Sequence, residues 1–353
     1  MSGIRVLIVD DSELFIEGVT PILEVEHDIE VVGSAANGAE AVKRVEALEP
    51  AVVVMDINMP VMGGLEAVER IMAARPTPIL LQTGDPASRD EVTSFEALSR
   101  GALDVVAKPK LTRDGAAEQA ELRDHVRLIA CVPVVYRRRR QRRHSLAAGL
   151  ESVPTGSGGI AMVASTGGPP TLADILAALP PDFSVPVLVV QHLASGFAPN
   201  LVSWLDGVSR LRVRLARDGT PVEPGVVYVA PDDAHMTIHG GDRIRLDRLT
   251  GPIDGHRPSG TRLLSSAAAQ WERRAVGVVL TGMGADGCRG LLDIRRAGGT
   301  TISQDRATSI VFGMPRVAVE LGAAQRVLPV AEIPDALVQA ARTIEAAVRR
   351  RST

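Results

Sequence analysis

Aromatic residues are scarce in this chain: five Phe, two Tyr and two Trp make up 3% of 353 residues. Its cores must be packed from Ala, Val, Leu and Ile, which the 45% apolar content supplies. Cysteine is scarcer still. Cys131 and Cys288 are too few for a disulfide framework or a zinc site of their own, which points to a reducing compartment. No apolar run approaches the ~18 residues that a membrane span needs. The N-terminus passes straight into an apolar stretch at 4–9, without the basic, apolar and small-residue regions of a signal peptide. A soluble cytoplasmic protein, not inserted in a membrane, is the expectation. Charge of one sign is lacking too. Lys and Arg number 39 against 42 Asp and Glu, a formal net charge of -3, which is unlike the strongly basic balance of a nucleic-acid binder. The length exceeds one ordinary domain of ~100–200 residues, so two are expected.

Short apolar runs punctuate the first third, at 6–9, 31–32, 52–55, 79–81 and 105–106, with helix-length stretches such as 38–48 and 64–74 between them. Continuous runs bounded by turns suit strands buried on both faces of a parallel sheet. Five βα units predict a flavodoxin-like, doubly wound domain over 1–131. A second α/β pattern fills 158–353. Strands are expected at 160–164, 187–190, 226–230, 276–280 and 301–303, and a closing helix at 333–350. Short strands around Gly240-Gly241, within 227–246, predict a hairpin added to a mostly parallel sheet. Between the two domains, 132–157 carries RRRRQRR at 137–143. Like charges repel and stay solvated, so this stretch is read as a basic flexible linker. A nucleic-acid or membrane-surface patch is the alternative, but no aromatics interleave it.

Ligands of open α/β sheets collect at the carboxyl ends of the strands. Asp10 and Asp11 end the first strand and Asp56 the third, while Thr83 lies past the fourth and Lys108, ahead of Pro109, past the fifth. Three converging carboxylates call for a hard cation such as Mg²⁺. A carboxylate can attack a phosphoryl group, with the metal and Lys108 offsetting the charge and the Thr83 hydroxyl bonding a phosphate oxygen. The plainer alternative is that the two aspartates cap the next helix and Lys108 is a surface lysine. Five positions in order weigh against it. LIVDDS at 7–12, MDINMPVMGGLEA at 55–67, Thr83 and Lys108-Pro109 resemble the receiver domain of two-component response regulators, over 4–127. The resemblance implies that a histidine kinase phosphorylates Asp56. It implies that Asp10, Asp11 and Asp56 hold Mg²⁺ with the backbone carbonyl of Asn58, and that Thr83 and Lys108 sense the phosphoryl group. Three positions depart from the family pattern: Gly63 in place of Asp, Gln82 in place of a small residue, and Val105 in place of the aromatic that acts as a rotamer switch.

In the second domain the strand at 160–164 runs into Ser165-Thr166-Gly167-Gly168-Pro169. Strand, serine, two glycines and helix place a hydroxyl on a tight turn beside the partial positive charge of a helix N-terminus. A helix cap or a phosphate-binding turn fits the same residues. The strand at 187–190 ends in Gln191-His192, and that at 276–280 leads through Thr281 to Asp286. A serine, a histidine and an aspartate thus follow three strands, in the roles of nucleophile, base and orienting acid. Their Ser–His–Asp order differs from that of α/β-hydrolases. His235, His239 and His256 are read as structural. STGGP, QHLASGF, LTGMGADG, AGGTTISQD and FGMP resemble the chemotaxis protein-glutamate methylesterases, the CheB family, over 158–320, and an N-terminal receiver is that family's own arrangement.

This second resemblance implies that Ser165 is the nucleophile, His192 the base and then the acid, and Asp286 its orienting partner. The Met283 backbone amide would serve the oxyanion hole, and Thr166 would line the site. The implied substrate is a glutamate γ-methyl ester, or a glutamine, on the cytoplasmic domain of a chemoreceptor. The implied phosphodonor is a chemotaxis histidine kinase, and no cofactor is implied for the esterase step. Leu193-Ala194-Ser195, where the family has a proline, and Gly260-Thr261, where it often has an aspartate, are expected to bear on substrate preference. Other readings are a response regulator that acts by protein binding with a weak or inactive hydrolase domain, a nucleic-acid-binding regulator using 137–143, and an esterase of a non-motility chemosensory pathway. A monomer is expected.

Overall fold

The computed structural model describes residues 3–84, 92–132 and 158–349. The chain divides into two compact units, Met1–Arg140 and Gln141–Thr353. Apart from Val132, the expected linker and its arginine run lie outside the described residues. In the first unit β1 (Ile4–Val9), α1 (Glu13–Glu24), β2 (Ile29–Ala35), α2 (Gly38–Leu48), β3 (Val52–Asp56), α3 (Gly64–Ala74), β4 (Ile79–Thr83), α4 (Val92–Ser99), β5 (Asp104–Ala107) and α5 (Ala116–Ala130) alternate. The strands form one parallel sheet of order β2-β1-β3-β4-β5. β3 and β4 are buried at every position, as strands covered by helices on both faces must be. Ser12 caps α1, its hydroxyl accepting the Phe15 N–H, and the Asn37 side chain caps α2 through the Glu40 N–H. The crossover that makes β1 and β3 neighbours pairs Val9 with Met55, and so brings the acids that follow them side by side.

The second unit runs β6 (Gly159–Ala164), α6 (Gly168–Ala178), β7 (Val187–Gln191), α7 (Ala198–Val208), β8 (Arg212–Leu215), β9 (Val226–Val229), β10 (His235–His239), β11 (Arg243–Asp247), α8 (Gly260–Trp271), β12 (Ala275–Val279), α9 (Cys288–Arg296), β13 (Thr300–Gln304), α10 (Met314–Glu320), β14 (Arg326–Leu328) and α11 (Ile333–Arg349). Seven strands form one sheet, β14-β13-β12-β6-β7-β9-β8, and each pairing in it is parallel. β10 and β11 form a separate antiparallel ribbon joined by the three-residue loop Gly240-Gly241-Asp242, whose two glycines lie in the left-handed region. Trp271, fully buried at the end of α8, donates its indole N–H to the Gly241 carbonyl and ties the helix to the hairpin. The central trio β12-β6-β7 is buried at every position. Strand order reverses at β6, and such a switch point opens a crevice beyond the carboxyl ends. Ser165, His192 and the loop that leads to Asp286 all leave that edge. No helix among the described residues is long and apolar enough to cross a membrane.

Candidate functional site

At the carboxyl edge of the first sheet, ligand oxygens of Asp10, Asp11 and Asp56 lie within 4.8 Å of one another, the first and last buried and Asp11 exposed. Lys108 reaches both buried acids. Its Nζ lies 2.7 Å from Asp56 Oδ2 and 2.6 Å from Asp10 Oδ2, an ion pair with each. The ammonium also sits 4.7 Å from the centre of the Phe15 ring, a cation–π contact that no sequence motif announces. The Lys108 backbone N–H donates to the Thr83 carbonyl, which ties the ends of β4 and β5 together. Burial pushes the Asp10 carboxyl above its ordinary range, although Lys108 and the Ser12 N–H pull it down. Burial also works against the Lys108 charge, but the two carboxylates outweigh it and hold the ammonium's pKa above the usual lysine value. The Asn58 N–H donates to Asp56 Oδ1, which brings that loop against the acid. This all-oxygen donor set, two carboxylates buried and one exposed, fits a hard divalent cation. Gly63 starts α3 without a side-chain cap, and Val105 is buried in β5.

The second site is built on backbone ladders. The Ser165 N–H donates to the Thr281 carbonyl at 3.0 Å, and the His192 N–H to the Ala164 carbonyl at 3.0 Å. The Ser165 carbonyl accepts the Gly168 N–H at 2.7 Å and the Gln191 side-chain amide at 2.9 Å. The turn demands glycine: Gly167 has φ +74°, and a Cβ on Gly168 would lie 2.8 Å from Ala164 Cβ. His192 Nε2 stands 2.8 Å from Asp286 Oδ2. Asp286 is fully buried, yet Ser259 Oγ at 3.0 Å, the Gly260 N–H at 2.5 Å and the Thr261 N–H at 2.9 Å also donate to it. Burial alone would raise its pKa, but His192 and these donors prevail and hold the carboxyl well below the usual carboxylate range.

An ionised carboxylate only accepts. The His192 proton therefore sits on Nε2 and the ring's lone pair on Nδ1. That Nδ1 is buried and has no hydrogen-bond partner. The structure thus joins His192 to Asp286 and sets Ser165 at the adjacent strand end, without a hydrogen bond from the Ser165 hydroxyl to His192. Met283 is 45% exposed, and its N–H meets no acceptor among the described residues. The Gly282 carbonyl before it accepts the Gly313 and Met314 N–H groups. Thr166 is buried, its carbonyl accepting the Thr281 hydroxyl at 2.9 Å. Cys288, next in α9, is no rival nucleophile, since burial, reinforced by Asp286, pushes its thiol up to about 12.

Two features escape the sequence motifs. Gly260 and Thr261, expected to bear on substrate preference, donate their backbone N–H groups to Asp286, and the Ser259 hydroxyl joins them. His235 has the structural place expected of it. It is fully buried, its Nδ1 accepts the Ser259 N–H, and its Nε2 donates to the Gly251 carbonyl. His239 is exposed on the hairpin. His256, also expected to be structural, lies in the cleft with its ring stacked on His192, centroids 3.9 Å apart and planes 2° from parallel.

Comparison with known proteins matches two families: CheB methylesterase over residues 160–337, and response regulator receiver domain over 6–117. The chain belongs to the CheB methylesterase family. It is 47% identical to protein-glutamate methylesterase/protein-glutamine glutaminase 2 of Anaeromyxobacter dehalogenans strain 2CP-C, over 96% of this chain and 97% of the relative. It is 44% identical to protein-glutamate methylesterase/protein-glutamine glutaminase 3 of Paramagnetospirillum magneticum strain ATCC 700264 / AMB-1, over 95% and 96%. The crystal structure of the Thermotoga maritima CheB methylesterase catalytic domain is 40% identical, with a TM-score of 0.50, and covers 52% of this chain and 98% of that one. The CheB methylesterase match begins in β6 and runs into α11, so it takes in every strand of the seven-stranded sheet and the loops that carry Ser165, His192 and Asp286.

Proposed function

We propose that this chain is a phosphorylation-controlled hydrolase that removes methyl esters from glutamate side chains on the cytoplasmic domain of a chemoreceptor and deamidates receptor glutamines by the same acyl chemistry. The receiver would occupy 1–131 and the catalytic domain 158–353. The observation that carries the reading is the buried His192–Asp286 pair, with its Nδ1 lone pair unclaimed, beside Ser165 at the ends of three adjacent strands. Ser165 Oγ attacks the ester carbonyl while His192 Nδ1 takes its proton, and Asp286 stabilises the imidazolium that forms. The Met283 N–H receives the oxyanion, and Thr166 lines the same turn. Collapse expels methanol, protonated by His192, and leaves an acyl ester on Ser165. Water, deprotonated by His192, then releases the glutamate carboxylate. With glutamine, ammonia leaves instead. Base catalysis is worth about 10²–10⁴-fold and one oxyanion donor about 10²–10³-fold.

In the receiver, Asp56 is the phosphoacceptor for a chemotaxis histidine kinase, and Lys108 and Thr83 meet the phosphoryl oxygens. A Mg²⁺ ion held by Asp10, Asp11, Asp56 and the Asn58 carbonyl would offset the charge of the transferring group, whereas the esterase reaction calls for no cofactor. The test is methanol release from methylated chemoreceptor cytoplasmic fragments, with and without acetyl phosphate and Mg²⁺. Release is expected to vanish in Ser165→Ala and to rise on phosphorylation only when Asp56 is present. Absence of release from folded wild-type protein with a competent receptor would overturn the esterase assignment and favour a regulator that acts by binding.

A further inference from the structure

We propose that His256 is a positioning residue of the hydrolase, its stacked imidazole fixing the plane in which His192 presents Nδ1 to the nucleophile. The proposal rests on the catalytic reading of His192 above. One hydrogen bond from Nε2 to Asp286 anchors a single atom of the His192 ring. The terminal torsion of histidine is broad, so that anchor leaves the ring free to swing about it. The missing constraint is a flat surface against one face, and the His256 ring, 3.9 Å away and within 2° of parallel, supplies it. His256 is itself held in place. Its N–H and carbonyl exchange hydrogen bonds with the carbonyl and N–H of Ile253, both at 3.0 Å. Three to five residues further on, Ser259, Gly260 and Thr261 bind the Asp286 carboxylate. One short segment, 256–261, therefore grips the base by its face and the acid by its oxygens, and sets the geometry of the pair from both sides.

The choice of an imidazole in this place has a consequence. His192 must become a cation during each turnover, and a neutral ring stacked on it tolerates that charge, whereas a protonated one repels it. The groups acting on His256 are His192, Asp286 and Asp254. Burial, helped by His192, outweighs the two acids and keeps its pKa below the ordinary histidine value. At neutral pH His256 is thus uncharged and the stack accepts the imidazolium. On acidification its protonation opposes catalysis independently of His192.

The test uses the full chain and methylated receptor fragments over about pH 5–8, the range in which histidines titrate. His256→Ala is expected to lower kcat by about 10- to 100-fold, with KM nearly unchanged, because misplacing a reacting group by about 1 Å costs that much. His256→Phe, which keeps a flat ring and cannot titrate, is expected to recover most of kcat and to lose one inflection on the acid side of the profile. Nitrogen NMR of the His192 imidazole is expected to show one Nε2-protonated form in the wild type and tautomer averaging in His256→Ala. An unchanged kcat and His192 spectrum in His256→Ala, or a His256→Phe as slow as His256→Ala, would overturn the proposal. If His256→Ala fails to fold, His256→Phe and His256→Asn decide it by the same readouts. Absence of methanol release from the wild type would count against the esterase reading alone, because the NMR comparison still reads the stack.

Discussion

Asp286 is a buried carboxylate, and four protein donors converge on its two oxygens. Asp286→Asn replaces an acceptor with a group that must itself donate. Its NH₂ then faces the backbone N–H groups, or His192 turns to the other tautomer and loses the lone pair on Nδ1. We expect kcat to fall about 10⁴-fold, as when a serine-hydrolase triad loses its acid charge, and stability to fall by the ~1–3 kcal/mol of an unsatisfied buried group. Methanol release and calorimetry check both. The pKa shift also has a sign. A depressed folded-state pKa stabilises the fold in full above the unfolded carboxyl value, and that contribution drains away as pH falls toward the folded value. Wild-type Tm should therefore drop below about pH 4 more steeply than that of Asp286→Asn. A parallel fall in the two proteins would show that the carboxylate network adds little to stability. Lys108 behaves oppositely, since its raised pKa contributes below the unfolded lysine value and is lost only in alkali.

Among the elements, packing around the Ser165 turn decides what can change. A Cβ on Gly168 would press on Ala164 Cβ and on Gln191 Cδ, each at 2.8 Å. Gly168→Ala must therefore push α6 off β6 and β7, and the Ser165 turn moves with it. Overpacking costs about 1–3 kcal/mol, so we expect a lower Tm together with a lower kcat. Gly207, inside α7, has nothing within 4 Å of its Cβ position. Gly207→Ala should raise Tm slightly, by the helix propensity gained, ~1 kcal/mol, and leave kcat alone. Thermal melts paired with methanol release separate the two cases. The same contrast explains what was legible in the sequence. β1, β3, β6, β7 and β12 announce themselves as apolar runs because both faces of each are covered. β8, an edge strand whose Arg212-Val213-Arg214-Leu215 alternates, and β14, three residues long, carry too weak a pattern to read. The strand expected at 226–230 belongs to the main sheet beside β7, outside the hairpin. Ser165, His192 and Asp286 stand out because side chains of distinctive type end buried strands. The clamp on Asp286 does not, because its donors are largely backbone N–H groups, and the His256 stack depends on a loop path that no local pattern encodes.

For the whole molecule, the proposed control requires a phosphoryl group in one unit to change a rate in the other. Lys108 is shared between Asp10 and Asp56. A phosphoryl group on Asp56 competes for that ammonium and offers the Thr83 hydroxyl an acceptor. Val105, buried in β5, stands where the family has an aromatic, so under the proposed control Lys108 and Thr83 would carry the signal. Two hydrogen bonds to a charged group are worth about 1.5–3 kcal/mol each. Moving a two-state equilibrium from 1:99 to 99:1 takes about 5.5 kcal/mol, so these contacts can deliver most of such a shift but little surplus. Removing either of two equal contacts would leave about 2.7 kcal/mol, a population near 1:1 and about half of the rise. We expect acetyl phosphate and Mg²⁺ to raise methanol release by up to about 100-fold in the wild type, the ceiling set by that population range. No rise is expected in Asp56→Asn, about half of it in Lys108→Ala or Thr83→Ala, and almost none when both are replaced. Full activation in both Lys108→Ala and Thr83→Ala would mean that the receiver transmits through a different element. Activation that survives in Asp56→Asn would mean that Asp56 is not the acceptor.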